Sequence, residues 1–382
     1  MRRTLSAALL LLALAGAGCA QNRIVYAQSG VQVQPPQYPS YQGSYTNGAI
    51  PSAWLPLYQR LRADGLDGPD LPALFASMGT PSQDPMGRKI KELYTKAFAP
   101  KPKPTPPSSK PTTPARPKPL VYPGVITAGN VEKCRAFLEA NKPAFDYAER
   151  TFGVPRQISV SLLFVETRLG TFLGKEKAFY TLASMASSRR PEAISTYVAQ
   201  LPGSTAADRQ SWIQQRMEQR SDWAYKELVA LLKNIRSSGE DALTMPGSIY
   251  GAIGLCQFMP TNISHYGADG NGDGVVNLFT VPDAVASLAN YLAQHGWNKA
   301  ATRAQKQKVI KTYNRIDIYA NTILGLAEAQ GYGRSKFPSS VQTGEGFRFV
   351  LHGIVSVRSP RRHGSGVSVG PVSRRAKLLF GE

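Results

Sequence analysis

The stretch Ile158-Ser-Val-Ser-Leu-Leu-Phe-Val-Glu166-Thr-Arg-Leu-Gly170 sets one carboxylate into an otherwise apolar segment. Ile158, Leu162, Val165 and Leu169 recur at helical spacing and mark a core-facing stripe. Glu166 lies beside that stripe, flanked by Phe164, Val165 and Leu169. Burial penalises the charged form of a carboxyl group, so a glutamate desolvated in this way has its pKa raised. It can then donate a proton near neutral pH, as cleavage of a glycosidic bond requires. Taken alone, the segment is more simply read as a Glu paired with Arg168 or another cation near a helix end. The rest of the chain decides between the two.

Around this segment the pattern is helical. Asn130–Phe152, Pro155–Leu169, Arg209–Arg236, Val281–His295 and Lys306–Ala329 are predicted helices, with Pro155 and Pro282 at first-turn positions. Strand signals are sparse, apart from RFVLHGIVSV at 348–357. The expected class is therefore mainly α, with at most a little β. Upstream, Trp54-Leu-Pro-Leu-Tyr-Gln-Arg-Leu and Leu71-Pro-Ala-Leu-Phe-Ala carry helical signals within 49–100. Residues 101–120 read as an extended proline-rich linker. Residues 20–48 read as a disordered tether, 121–333 as the main helical domain and 334–382 as a basic, flexible tail.

Residues 1–19 read as a secretory signal: Arg2-Arg3, an apolar run from Leu5 to Ala15, then Gly16-Ala17-Gly18-Cys19. The run is too short to span a membrane comfortably. Cys19 after small residues resembles a bacterial lipobox, although Gly16 stands where Leu is usual. Ordinary cleavage after Ala17 is the alternative. Ala20 is not the Asp that retains lipoproteins at the inner membrane, so the expected location is the periplasm, anchored to the outer membrane.

The net charge of +20 is unevenly placed. Residues 121–333 hold 22 basic and 18 acidic side chains, while 100–120 contribute +5 and 334–382 contribute +7. Such a cationic exported chain is attracted to an anionic envelope polymer. No basic-and-aromatic motif in the core suggests nucleic acid. Cys134 and Cys256 could pair or be two buried free thiols. The four histidines form neither a ligand cluster nor a triad.

Three further constellations carry chemistry. Ser248-Ile-Tyr-Gly251-Ala-Ile-Gly254-Leu-Cys-Gln257-Phe258-Met-Pro260 suggests a tight backbone passage presenting an amide and an aromatic face. Both suit a sugar, although Phe258 could equally be core. Asp269-Gly-Asn271-Gly-Asp273-Gly-Val275-Val-Asn277 places oxygen donors as an EF-hand loop does. The twelfth position is Thr280, so Asp283 from the next helix is the expected substitute ligand for a Ca2+ or Na+ ion of structural role; the alternative is an Asp/Asn/Gly turn without metal. Tyr313-Asn314 with Tyr319, and Arg189-Arg190, are of types that line carbohydrate grooves and bind carboxylates. Each has a plainer reading, as core tyrosines and a solvated basic pair.

Taken together, these residues resemble the membrane-bound lytic murein transglycosylase B family. Val165-Glu166-Thr-Arg-Leu-Gly170 with Gly174-Lys175 is similar to its catalytic segment, and Gly251-Ala-Ile-Gly254…Gln257-Phe-Met-Pro260 to its Gln-Phe-Met-Pro segment. The Asp269–Asn277 loop with Asp283, then Ala289-Asn-Tyr291, His295-Gly-Trp297 and Tyr313-Asn314, continue the match in order. The resemblance implies a lysozyme-like fold acting on peptidoglycan, with Glu166 as acid and base and no cofactor for catalysis. It implies groove roles for Arg189, Arg190, Ser248, Gln257, Phe258, Tyr291, Tyr313, Asn314 and Tyr319. Cys256 departs from the family's Gly. The family's upstream groove tyrosine has no fixed counterpart, since Tyr122 is offset by about one position.

The implied reaction cleaves the bond between N-acetylmuramic acid and N-acetylglucosamine without water. Ordinary glycosidases need two acidic groups, and the segments around Glu166 offer only Glu176 and Glu192. The competing readings are a hydrolytic muramidase and a non-catalytic peptidoglycan-binding lipoprotein.

Overall fold

The structure, a computed structural model, describes residues 48–99 and 119–333. The signal with Cys19, most of the tether, the bulk of the proline-rich stretch and the tail with its strand-prone 348–357 lie outside the described residues.

Thirteen α-helices are present among the described residues. Three precede the proline-rich stretch: α1 (Leu55–Ala63), α2 (Asp70–Ala76) and α3 (Asp84–Phe98). Then come α4 (Ala128–Ala140), α5 (Lys142–Phe152), α6 (Arg156–Thr167), α7 (Ala178–Ser187), α8 (Ser195–Val198) and α9 (Ala207–Ser238). The last four are α10 (Pro260–Tyr266), α11 (Val281–Gln294), α12 (Arg303–Tyr313) and α13 (Asp317–Ala329). A two-stranded antiparallel ribbon pairs β1 (Glu176–Lys177) with β2 (Pro246–Gly247), Glu176 facing Gly247 and Lys177 facing Pro246.

Helix α6 is buried on nearly every side, and α4, α5, α11 and α13 pack against it. A helix apolar all round belongs at a core centre. The long α9 buries Ile213, Met217, Ser221, Ala224, Leu228, Leu231 and Ile235, one stripe at spacings of three and four. That stripe meets α7, whose Ala183 and Ala186 leave room for close approach, and Ser221 Oγ donates to the Ala186 carbonyl at 2.6 Å. Gly239 at φ 72° closes α9 with a left-handed cap.

The three helices before the proline-rich stretch share this core. Trp54 meets the Tyr180 ring edge-on at 6.0 Å, and Tyr94 meets Trp212 at 5.7 Å. Tyr225 donates to Asp64 at 2.6 Å, and Arg236 pairs with Asp70 at 2.9 Å.

Two predicted helices are each two helices. Asn130–Phe152 breaks at Asn141, because Pro143 lacks an N–H and its ring excludes the preceding turn. Lys306–Ala329 breaks at Asn314, which is extended at φ −144°, ψ 119°. Pro155 is the N-cap of α6, not its first residue. Helix α7 was not predicted: its apolar run, Ala178 to Ala186, is buried all round and shows no amphipathic period. Cys134 and Cys256 are free and buried, and burial pushes both thiols up to about 12.

Candidate active site

Glu166 occupies the last turn of α6 and is 8% exposed. The helix stops immediately after it. Arg168 (φ 51°), Leu169 (φ 62°) and Gly170 (φ 86°) all take left-handed backbone. For non-glycine residues this costs about 1–2 kcal/mol each. The turn is held nonetheless: Arg168 N–H donates to the Phe164 carbonyl at 3.0 Å and Leu169 N–H to Leu163 at 3.3 Å. Thr167 Oγ1 donates to the Leu255 carbonyl at 2.8 Å and accepts from Gly170 N–H at 3.0 Å. Strain of this kind, over-determined by its surroundings, marks functional sites.

Burial raises the Glu166 carboxyl to about 7, opposed by a hydrogen bond from the Tyr319 hydroxyl, which favours the ionised form. No other charged side chain contributes to this shift. Arg168 is exposed and pairs with no acid among the described residues, so the cation-paired reading of Glu166 does not hold. Glu176 and Glu192 are both exposed. Tyr122, which the sequence left open, does come close: burial and the charge of Glu166 push its phenol up. Its N–H donates to Thr322 Oγ1 at 2.8 Å, on the helix that carries Tyr319. An offset of one residue beside a proline-rich stretch concealed it.

The 248–258 passage lies against the end of α6. Ser248 Oγ accepts from Ala252 N–H at 3.0 Å and Tyr250 N–H at 3.3 Å, so this hydroxyl shapes the turn. Ile253 and Phe258 exchange backbone bonds at 2.9 and 3.1 Å, and Leu255 N–H reaches the Leu278 carbonyl at 2.9 Å. Gln257 itself takes left-handed backbone at φ 51°. Its Nε2 donates to the carbonyls of Gly254 at 3.0 Å and Leu173 at 3.3 Å. The Tyr313 hydroxyl donates to the Cys256 carbonyl. Tyr291 packs edge-on to Tyr313 at 5.0 Å and donates to the Thr312 carbonyl at 2.8 Å. Asn314 is half-buried beside Tyr313, at the end of α12.

Phe258 and the Arg189-Arg190 pair each carried two readings. Phe258 is 1% exposed, its ring 5.7 Å from Tyr291 and 5.8 Å from Tyr313. It supports the aromatic wall from behind and offers no open stacking face. Arg189 is ion-paired with Asp222, which also lies 3.4 Å from Arg60. Arg189 and Arg190 are exposed, and no contact joins either to Glu166 among the described residues.

In the acidic loop, Asp269 accepts from Gly272 N–H at 2.6 Å and Gly274 N–H at 2.7 Å, while Asp273 accepts from Val275 N–H at 2.8 Å. Asn271 Oδ1 accepts from Asp273 N–H at 3.0 Å. Asp283 joins this loop from α11, fully buried, accepting from Gly270 and Asn277 N–H at 2.8 Å each. Burial and the charges of Asp269 and Asp273 push its carboxyl up to about 6. Among the described residues no group of three or more His, Cys, Asp or Glu side chains is drawn together as a metal site.

Residues 59–308 match the family model described as transglycosylase SLT domain. The chain belongs to this family. It is 31% identical over 174 residues to the membrane-bound lytic murein transglycosylase B of Escherichia coli K12. That match takes in 46% of this chain and 40% of the relative, so the chain spans less than half the relative's length. Among solved structures it is similar to the soluble lytic transglycosylase SltB1 of Pseudomonas aeruginosa, at TM-score 0.51 and 22% identity over 74% of this chain and 98% of that one. It is also similar to the Escherichia coli lytic transglycosylase Slt35 in complex with calcium, at TM-score 0.51 and 19% identity over 78% and 98%. The mainly α, lysozyme-like fold is thus the fold of this family.

Proposed function

We propose that the chain is a lytic transglycosylase that cleaves the bond between N-acetylmuramic acid and N-acetylglucosamine in peptidoglycan, leaving a 1,6-anhydromuramyl end. The observation that carries this reading is the buried carboxyl of Glu166 at the end of α6, hydrogen-bonded by Tyr319 and raised to about 7 with no second carboxylate acting on it. A hydrolase of the usual kind needs a partner acid either to activate water or to attack the sugar. Here one group suffices. Protonated Glu166 gives its proton to the bridging oxygen as that bond breaks, and the muramyl acetamido group supports the positive anomeric carbon. Ionised Glu166, favoured by the Tyr319 hydroxyl, then takes the proton of the sugar's own O6 hydroxyl. O6 closes onto the anomeric carbon, and no water is consumed. A pKa near 7 suits both halves, because each protonation state stays accessible at neutral pH.

Gln257, Tyr313, Tyr291, Ser248 and Asn314 would shape the groove around the glycan, with Phe258 bracing it. Arg189 and Arg190 would take a muramyl or peptide carboxylate, Arg189 only by exchanging Asp222. The membrane-bound and calcium-complexed relatives support two finer readings. One is export to the periplasm, with lipid at Cys19 holding the protein to the outer membrane. The other is a hard cation, Ca2+ or Na+, at Asp269, Asn271, Asp273, the Val275 carbonyl and Asp283. The charges of Asp269 and Asp273, which help to push the buried Asp283 carboxyl up, support such an ion, whose charge would offset their repulsion. The ion's role would be to stiffen the loop.

The test is mass analysis of products released from purified sacculi. Anhydromuramyl ends support the reading. Products heavier by one water would mark a muramidase, and no release with retained binding a non-catalytic module.

A further inference from the structure

The loop after Glu166 carries an aromatic ring that the reaction above does not use. Phe172 is 39% exposed, one of three large hydrophobic side chains so exposed among the described residues, with Leu55 and Leu120. Leu55 opens α1, and Leu120 adjoins the proline-rich stretch. Of the three, Phe172 is the one whose backbone is bonded to Thr167, the residue after Glu166, and is followed by a carbonyl bonded to Gln257 of the 248–258 passage.

Its exposure is not slack. The Phe172 N–H donates at 3.0 Å to the carbonyl of Thr167, the residue after Glu166. The next carbonyl, on Leu173, accepts from the Gln257 amide at 3.3 Å, and the Leu173 side chain is buried. Gly174 follows at φ 109°, where a Cβ would collide with the Gly247 carbonyl oxygen. The backbone on one side of the ring is therefore fixed to the catalytic helix. On the other side it is fixed to the groove loop and β2. Scattered exposed apolar side chains are ordinary. An exposed aromatic side chain whose backbone is tied on both sides, one hydrogen bond from the end of the catalytic helix, is a different object, because its attachment point beside that helix is fixed.

We propose that Phe172 is a substrate-binding residue, a platform for the apolar face of a pyranose ring next to the bond cleaved at Glu166. This rests on the glycan reading above. A pyranose has hydroxyl edges and C–H faces, and an aromatic ring covers such a face without reading the hydroxyls. Phenylalanine has no polar tip, so the contact would be present in ground and transition states alike. Its loss should raise KM and leave kcat nearly unchanged.

The experiment measures binding of a tetrasaccharide of alternating N-acetylglucosamine and N-acetylmuramic acid to the full chain bearing Glu166→Gln. Phe172→Ala, Phe172→Leu and Phe172→Trp are added in turn. Phe172→Ala and Phe172→Leu should raise Kd about 3- to 10-fold, the size of one aromatic contact. Phe172→Trp should bind within about twofold of its parent, with altered tryptophan emission on binding. Melting temperatures should not move. Equal binding by Phe172→Ala, or recovery by Leu as complete as by Trp, would overturn the proposal. In the active chain, a kcat loss at unchanged KM would do the same. If wild type yields no anhydromuramyl ends, the reaction assigned above fails, while the binding comparison still decides for or against Phe172 because it uses no turnover.

Discussion

The hydroxyl of Tyr319, on α13, donates a hydrogen bond to Oε1 of Glu166, on α6. Both side chains are buried, and the charge of Glu166 together with burial holds the Tyr319 phenol well above its ordinary value. Tyr319 therefore stays a neutral donor throughout the working pH range. It tempers a pKa that burial alone would raise further.

Tyr319→Phe should move the Glu166 pKa upward, because it removes the one group that favours the ionised form. The fall in activity as the acid form is lost should shift to higher pH. The step that needs the carboxylate should weaken, with kcat lower by about 10-fold near neutrality. A pH–rate profile checks this: an unmoved upper limb would show that the bond does not tune Glu166.

Glu166→Gln should abolish anhydromuramyl release, by at least about 100-fold, with the fold retained. It also has a stability signature. The folded pKa is raised from 4.5 to about 7, so the native state binds more protons than the unfolded one between these values. Stability from this group is thus full below about 4.5, falls as pH rises to about 7, and stays reduced above it. The variant escapes that penalty, which is at most roughly 3 kcal/mol. Its melting temperature should exceed that of wild type at about pH 8 and approach it at about pH 4. A difference that does not vary with pH would count against the shift.

Thr167→Val should separate the turn from the passage. It removes the bond to Leu255 and the acceptor for Gly170 N–H, leaving buried groups unpaired. The expected cost is about 1–3 kcal/mol, read by denaturant unfolding. Activity should fall more than stability alone explains, since Glu166 and Gln257 lose their common tie.

Asp273→Ala should reduce the rise in melting temperature produced by calcium, because one charged oxygen donor leaves the loop. Chelator should lower the wild-type melting temperature and leave the variant nearly unmoved. A calcium response equal in both proteins would mean that the loop is held by its own amides alone.

Cys19→Ser should turn a membrane-fraction protein into a soluble periplasmic one. Several acyl chains hold a protein firmly where one would not. A wild type recovered wholly soluble, without lipid at Cys19, would end the anchor proposal and leave the enzyme reading intact.

The sequence by itself determined the helical class, the apolar setting of Glu166 and the tight glycine passage before Gln257. These follow from local period and residue type: the α6 stripe, and Gly251 and Gly254 at φ 85° and 72°. It also placed Asp283 with the acidic loop, through spacing to an adjacent helix. Tertiary structure alone decided which partners face each other. Tyr319 lies 153 positions from Glu166, and periodicity carries no information over that distance. Whether Phe258 offers a face or braces a wall depended on Tyr291 and Tyr313 closing over it. Tyr122 comes near Glu166 through Thr322, a contact 200 positions apart. The breaks at Asn141 and Asn314 lay within reach of local reading, but continuous helical period concealed them. Desolvation of Glu166 is a property of the packed neighbourhood, so its pKa near 7 belongs to the fold and not to the segment.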